Sequence, residues 1–306
     1  MELAALAVCI LAAAAIGYLA RSAGLCIVRA VVAALERQPL MLLALLVAGF
    51  WVHLAAFAGG DDSLHLIAYP PHWRFVVGGL LFGIGAAANG GCAVGTISRG
   101  FAGDLGMIAT ASGWLIGAAV VAGSFSAAPL AAQPVDIPPA AAMLAGSALI
   151  ALAALVRWRY PAAWPLWRAV CAVGLLSLVL FLFEPNWDPS ACIMRAANWL
   201  AGAAAPPSLL QVAVFASLGA GVLACALGKG QFKIIVPSPA AAAVHLVAGI
   251  LMGVGLALAL GGNDTQLLLR LPTLSASALL AVAGMGIGIW LWLLVKGQLA
   301  GHSAAG

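Results

Sequence analysis

Three cysteines stand where the chain breaks its own helical pattern, and a thiol in such a place can meet a solute. Cys26 follows Gly24, Cys92 follows Asn89-Gly90-Gly91, and Cys192 follows Pro189. A thiol is a weak hydrogen-bond donor on a soft, polarisable atom, so it can hold an anion loosely enough to release it. Arg29 and Arg195 come three residues after Cys26 and Cys192, on the same face of any short helix there, and could attract an anion. They could equally extend toward the membrane interface or pair with Glu36 and Glu184. Cys9, Cys171 and Cys225 lie inside unbroken apolar runs and read as packing residues.

Other chemistries find less support. No Cys-x-x-Cys pair occurs, so neither a dithiol redox motif nor a zinc motif is expected. Asp61, Asp62, His65 and His72 read as a solvated loop rather than a metal site, because two histidines at irregular spacing are a poor ligand set. Gly83-x-Gly85-x-x-Ala88 imitates a dinucleotide fingerprint, but no strand precedes it, and no cofactor is expected. His53 and His245 fall in or beside apolar spans without a carboxylate partner, a weak basis for a proton relay.

The elements that position these residues are membrane helices. Hydrophobic residues make up 65% of 306 positions and charged residues 7%, with a mean hydropathy of +1.13. Soluble domains are roughly 45–50% apolar and about 25% charged, so this composition excludes a soluble fold, and no nucleic-acid partner is expected. The natural partner is the lipid bilayer. The apolar runs are about twenty residues long, enough to cross roughly 30 Å of hydrocarbon as helices. The pattern predicts nine spans, at roughly 3–20, 39–58, 73–89, 104–123, 138–157, 166–183, 207–228, 240–261 and 273–295. The first is not expected to be a cleaved signal, since Glu2 precedes it and Arg21 follows it, the reverse of a basic leader.

Charge orients the chain. Of the thirteen basic residues, only Arg74, Arg195 and Arg270 fall on the side where the chain starts, leaving ten on the other. The positive-inside rule then places the N-terminus outside and the C-terminus in the cytoplasm of a bacterial inner membrane.

An internal repeat is also visible. Leu25-Cys26-Ile27-Val28-Arg29-Ala30 returns as Ala191-Cys192-Ile193-Met194-Arg195-Ala196, an offset of 166 from Cys26 to Cys192. The glycine-rich run Gly78 to Gly85 returns as Ala248 to Gly255, an offset of 170. Two ordered matches at nearly one offset indicate a duplicated unit. Residues 1–136 form the first four-span repeat, 137–162 a linking span, and 163–306 the second repeat. The single linking span starts the second copy on the opposite face, so the repeats are inverted, a plan that holds substrate near the midplane.

Four pieces between the spans, at about 22–36, 90–101, 188–203 and 262–271, are too short and too broken to cross. They predict re-entrant half-helices, which are tolerated at membrane depth only when buried in protein or lining a cavity. The expected fold is thus an all-α polytopic membrane protein of about nine transmembrane helices plus four short re-entrant helices in two inverted repeats. The half-helices' N-terminal amides suit an anion.

With Gly24 to Arg29, Gly79 to Arg99, Ala191 to Arg195, and Gly249 to Asp264 in view, the chain resembles the YeeE/YedE sulphur-transport family. The resemblance implies uptake of thiosulphate or a related small sulphur-containing anion along a cysteine-lined path, without catalysis. It also implies a cytoplasmic sulphur-carrier partner of the TusA type. The path residues expected are Cys26, Cys92, Cys192, Asn89, Gly90, Gly91, Gly261, Gly262 and Asn263, with Arg29 and Arg195 as anion attractors. One departure is that the fourth segment, where a cysteine is expected in the thiosulphate branch, reads Gly261-Gly262-Asn263-Asp264. Asp264 is expected to turn away from the path, capping the short helix or pairing with Arg270, because an ionised carboxylate would repel an anion. Transport of a selenium or other sulphur compound is the nearest alternative. An intramembrane thiol oxidoreductase is the rival of a different class, and it would need the paired motif or cofactor ligands that are missing.

Overall fold

A computed structural model of the chain describes residues 3–54, 66–124, 130–135, 137–184 and 187–303. Asp61, Asp62 and His65, considered above as metal ligands, lie outside the described residues. The architecture is all-α: α1 (Leu3–Ala23), α2 (Ile27–Leu35), α3 (Leu40–Val47), α4 (Trp73–Asn89), α5 (Ala93–Phe101), α6 (Gly106–Ser124) and α7 (Pro139–Arg159). Then come α8 (Trp164–Phe183), α9 (Ala191–Leu200), α10 (Leu209–Gly228), α11 (Pro239–Leu258), α12 (Asn263–Thr265) and α13 (Ala276–Ser303). A two-residue antiparallel pairing, Ile67–Ala68 with Gln133–Pro134, ties two connections together.

Among the described residues eight helices are long and apolar enough to cross a membrane, which makes this a multi-pass membrane protein. The expected span at 39–58 is represented by the shorter apolar helix Leu40–Leu54, with a 3₁₀ turn at Ala48–Trp51; residues 55–58 are not described.

A short helical piece follows each of the four expected breaks. α1 ends where Gly24 takes φ +64° and the Leu25 amide bonds the Ala20 carbonyl; Cys26 then turns extended and α2 begins. Gly90, at φ 72°, closes α4 in the same way, with the Gly91 amide on the Ala86 carbonyl. Before α9 the device differs: the Asp188 side chain accepts the Ser190 amide at 2.9 Å. The fourth piece departs most from a regular helix. α12 is one turn long, and it runs into a π turn over Gln266–Arg270 and a 3₁₀ turn over Leu271–Thr273. π turns are rare and concentrate near functional sites.

Glycine seams hold the long helices together. A Cβ on Gly79 or Gly83 of α4 would run into the backbone of α13 at Ala281 and Met285. A Cβ on Gly249 or Gly253 of α11 would do the same to α6 at Thr110 and Trp114. α1 and α10 meet through Gly17 and Gly221. In hydrocarbon, close backbone approach of this kind is what drives helices to associate.

Candidate functional site

The half-helices converge. Cys26 and Cys92 are the residues immediately before α2 and α5, both extended, and both thiols are buried against one cavity of about 60 Å³. A buried water needs room of about 10–15 Å³ on the same measure, so the cavity admits a solute of a few heavy atoms. Its walls are mostly aliphatic side chains of α1, α3, α8 and α10, with Ser98, Asn263 and Asp264 as the polar members beside the thiols.

The two halves meet directly at this place. The Ala93 amide, first in α5, donates to Asn263 Oδ1 at 3.2 Å. Cys92 (φ −77°, ψ −170°) and Gly262 (φ −76°, ψ −171°) have the same backbone conformation ahead of their helices. Gly262 thus stands in the fourth segment where Cys92 stands in the second. Asn263 joins Cys26 and Cys92 at the cavity.

Asn89, Gly90 and Gly91 do not line it. Asn89 is spent on scaffolding: its Nδ2 donates to the Gly91 carbonyl (3.2 Å) and Thr96 Oγ1 (2.9 Å). Its Oδ1 receives Thr110 Oγ1 (2.7 Å) and contacts His245 Nδ1 (2.8 Å). Arg99 closes the same turn, reaching the Asn89 carbonyl at 2.9 Å and the Asp104 carboxylate at 2.7 Å. His53 is likewise a tie, with Nε2 3.0 Å from the Pro272 carbonyl.

Cys192 lies apart from the other two thiols. It lines a smaller pocket with Glu184, Asp188, Arg195 and Gln211, and does not line the central cavity. Arg29 bonds the Gly24 carbonyl at 3.0 Å and so braces its own turn. Arg195, 4.0 Å from Glu184, also borders a larger open cavity of about 250 Å³ together with Tyr69, Asp188, Ser190, Gly261 and Arg270. Arg270 donates to the Ile67 carbonyl (2.8 Å) and lies 5.0 Å from the centre of the Tyr69 ring.

Between the two cavities stands a polar knot. Ser190 offers its amide to Asp188 Oδ1 (2.9 Å) and Asp264 Oδ2 (2.7 Å), and its hydroxyl, with a single proton to share, lies 2.9 Å from both Asp188 Oδ1 and Asp264 Oδ1. Thr265 Oγ1 donates to Asp188 Oδ2 at 2.9 Å. Asp264 therefore neither pairs with Arg270 nor turns away from the cavity. It forms part of the wall, with its oxygens committed to Ser190. Asp188, Ser190 and Thr265 carry no periodic signal that separates them from loop residues; Asp188-Pro189-Ser190 ahead of a short helix is the only trace of a cap.

Among the described residues no group of three or more His, Cys, Asp or Glu could hold a metal ion. A family model described as sulphur transport matches the chain twice, over residues 26–163 and 152–291. No curated protein matches it.

Proposed function

The chain belongs to the sulphur transport family and is a transporter of sulphur compounds, and on that premise we propose that it takes up a small sulphur-containing anion such as thiosulphate through the cavity beside Cys26 and Cys92. The observation that carries this reading is the meeting of two buried thiols, each at the start of a short helix, on one cavity. The half-helix amides supply partial positive charge, and the thiols supply weak donors that bind without trapping. The open cavity with Arg195 and Arg270 is the collecting vestibule, and the Asp188–Ser190–Asp264 knot separates it from the thiols.

Two inverted repeats, 1–136 and 163–306 joined by the span in 137–162, underlie this arrangement. The reading is supported by the double family match, by the shared backbone conformation of Cys92 and Gly262, and by the bond from Ala93 to Asn263, its partner 170 residues on. The charge asymmetry supports an inner-membrane orientation with the N-terminus outside.

The test is uptake of ³⁵S-thiosulphate by cells that depend on this protein, beside a panel of other sulphur and selenium anions. Cys26→Ser and Cys92→Ser should each lower initial uptake about tenfold, the size of one altered buried hydrogen bond, at unchanged protein level. Cys192→Ser, outside the cavity, should cost less than either. Full uptake by both Cys26→Ser and Cys92→Ser would sink the proposed route.

A further inference from the structure

Gly95 is a helical glycine that the fold does not require. Most buried glycines of the long helices face a neighbouring backbone that an added Cβ would strike. Gly95, inside α5, differs: the nearest atoms to a Cβ there are Cys26 Sγ at 3.4 Å, Cys26 Cβ at 3.9 Å and Cys92 Sγ at 3.9 Å, all ordinary contacts. Its φ does not lie in the left-handed region either, so alanine fits both the backbone and the packing. In a helix interior alanine is the more stable residue, which leaves this glycine at a cost the structure does not recover.

What the missing methyl leaves open is the space touching both thiols. Gly95 does not line the 60 Å³ cavity, yet it keeps partial exposure where it adjoins both thiols. In the fourth segment the position 170 residues on is Thr265, which is buried and bonded to Asp188, so the second half fills the corresponding place. We infer that Gly95 is a specificity-determining residue: by presenting no side chain beside Cys26 and Cys92 it sets the width through which a small sulphur-containing anion leaves the cavity. The inference rests on the transport reading given above.

Two measurements test it separately. In the first, Gly95→Ala should lower ³⁵S-thiosulphate uptake at least about tenfold, since one methyl group in a tight passage is worth about 10–200-fold. Its thermal unfolding midpoint in detergent should equal or exceed that of the unsubstituted protein. Gly286→Ala, at a helical glycine with nothing within 4 Å of the added Cβ, should leave uptake unchanged. In the second, which needs no transport substrate, the rates at which a small methanethiosulphonate reagent labels Cys26 and Cys92 are read peptide by peptide. Gly95→Ala should slow both at least about fivefold by the same steric argument. Unchanged labelling and unchanged uptake in Gly95→Ala would overturn the inference, as would a fall in the unfolding midpoint that accounts for the lost uptake. Slowed labelling in a protein that carries no anion of the panel would leave Gly95's steric control of access to the thiols standing and refute the transport reading instead.

Discussion

At the scale of single residues, the two halves of this transporter solve the same problem with different atoms. In the first half, thiols occupy the positions ahead of the short helices; in the second, Ser190 and Gly262 occupy them, and Asp188 and Asp264 bond Ser190. Two buried carboxylates with four oxygens are served by the Ser190 amide, the Ser190 hydroxyl and the Thr265 hydroxyl. Removing one of these donors leaves a buried acceptor poorly satisfied, at about 1–3 kcal/mol. Ser190→Ala should accordingly lower the unfolding midpoint measured in detergent by intrinsic fluorescence, and an unchanged midpoint would show that the knot is not structural. The placement of Cys26, Cys92 and Asn263 at helix breaks was legible because a breaker beside a polar or thiol side chain is a local signal. The role of Asp264 was not, because its partner Ser190 is 74 residues away and nothing local announces the pairing.

Elements were read from punctuation. Gly24, Gly90 and Gly261 all take positive φ at breaks the sequence marks, which is why three of the four interrupted segments could be placed within a few residues; Pro189 marks the other. The irregular course of the fourth piece escaped, since Gln266 to Arg270 looks like an ordinary apolar helix and its π turn has no compositional mark. Small residues four apart mark the glycine seams, but which helix each faces is a tertiary fact. Gly83 lies against the Met285 backbone of α13, so Gly83→Ala must push two helices apart. Overpacking of this kind costs about 1–3 kcal/mol, and the yield of monodisperse protein on size-exclusion chromatography should fall. A normal yield would mean that α4 and α13 slide past each other easily.

For the whole molecule, class and span order followed from hydropathy because a bilayer leaves few choices: a helix of sufficient length, or a short piece sheltered by others. The placement of positive charge adds a prediction independent of side-chain geometry. A reporter fused after Gly306 should be cytoplasmic, and one inserted near Asp62 should be external. Both on one side would remove the odd linking span and the inversion with it. The mostly aliphatic walls of the 60 Å³ cavity carry a last consequence. An anion drawn into so small and apolar a cavity cannot bring its whole water shell, and stripping that shell from a charged group is costly unless other groups replace it. The weak thiol donors and the Asn263 amide replace only part of it. Anions of similar size should therefore be sorted by how tightly they hold water, with diffuse, softly charged ions passing ahead of compact, strongly hydrated ones.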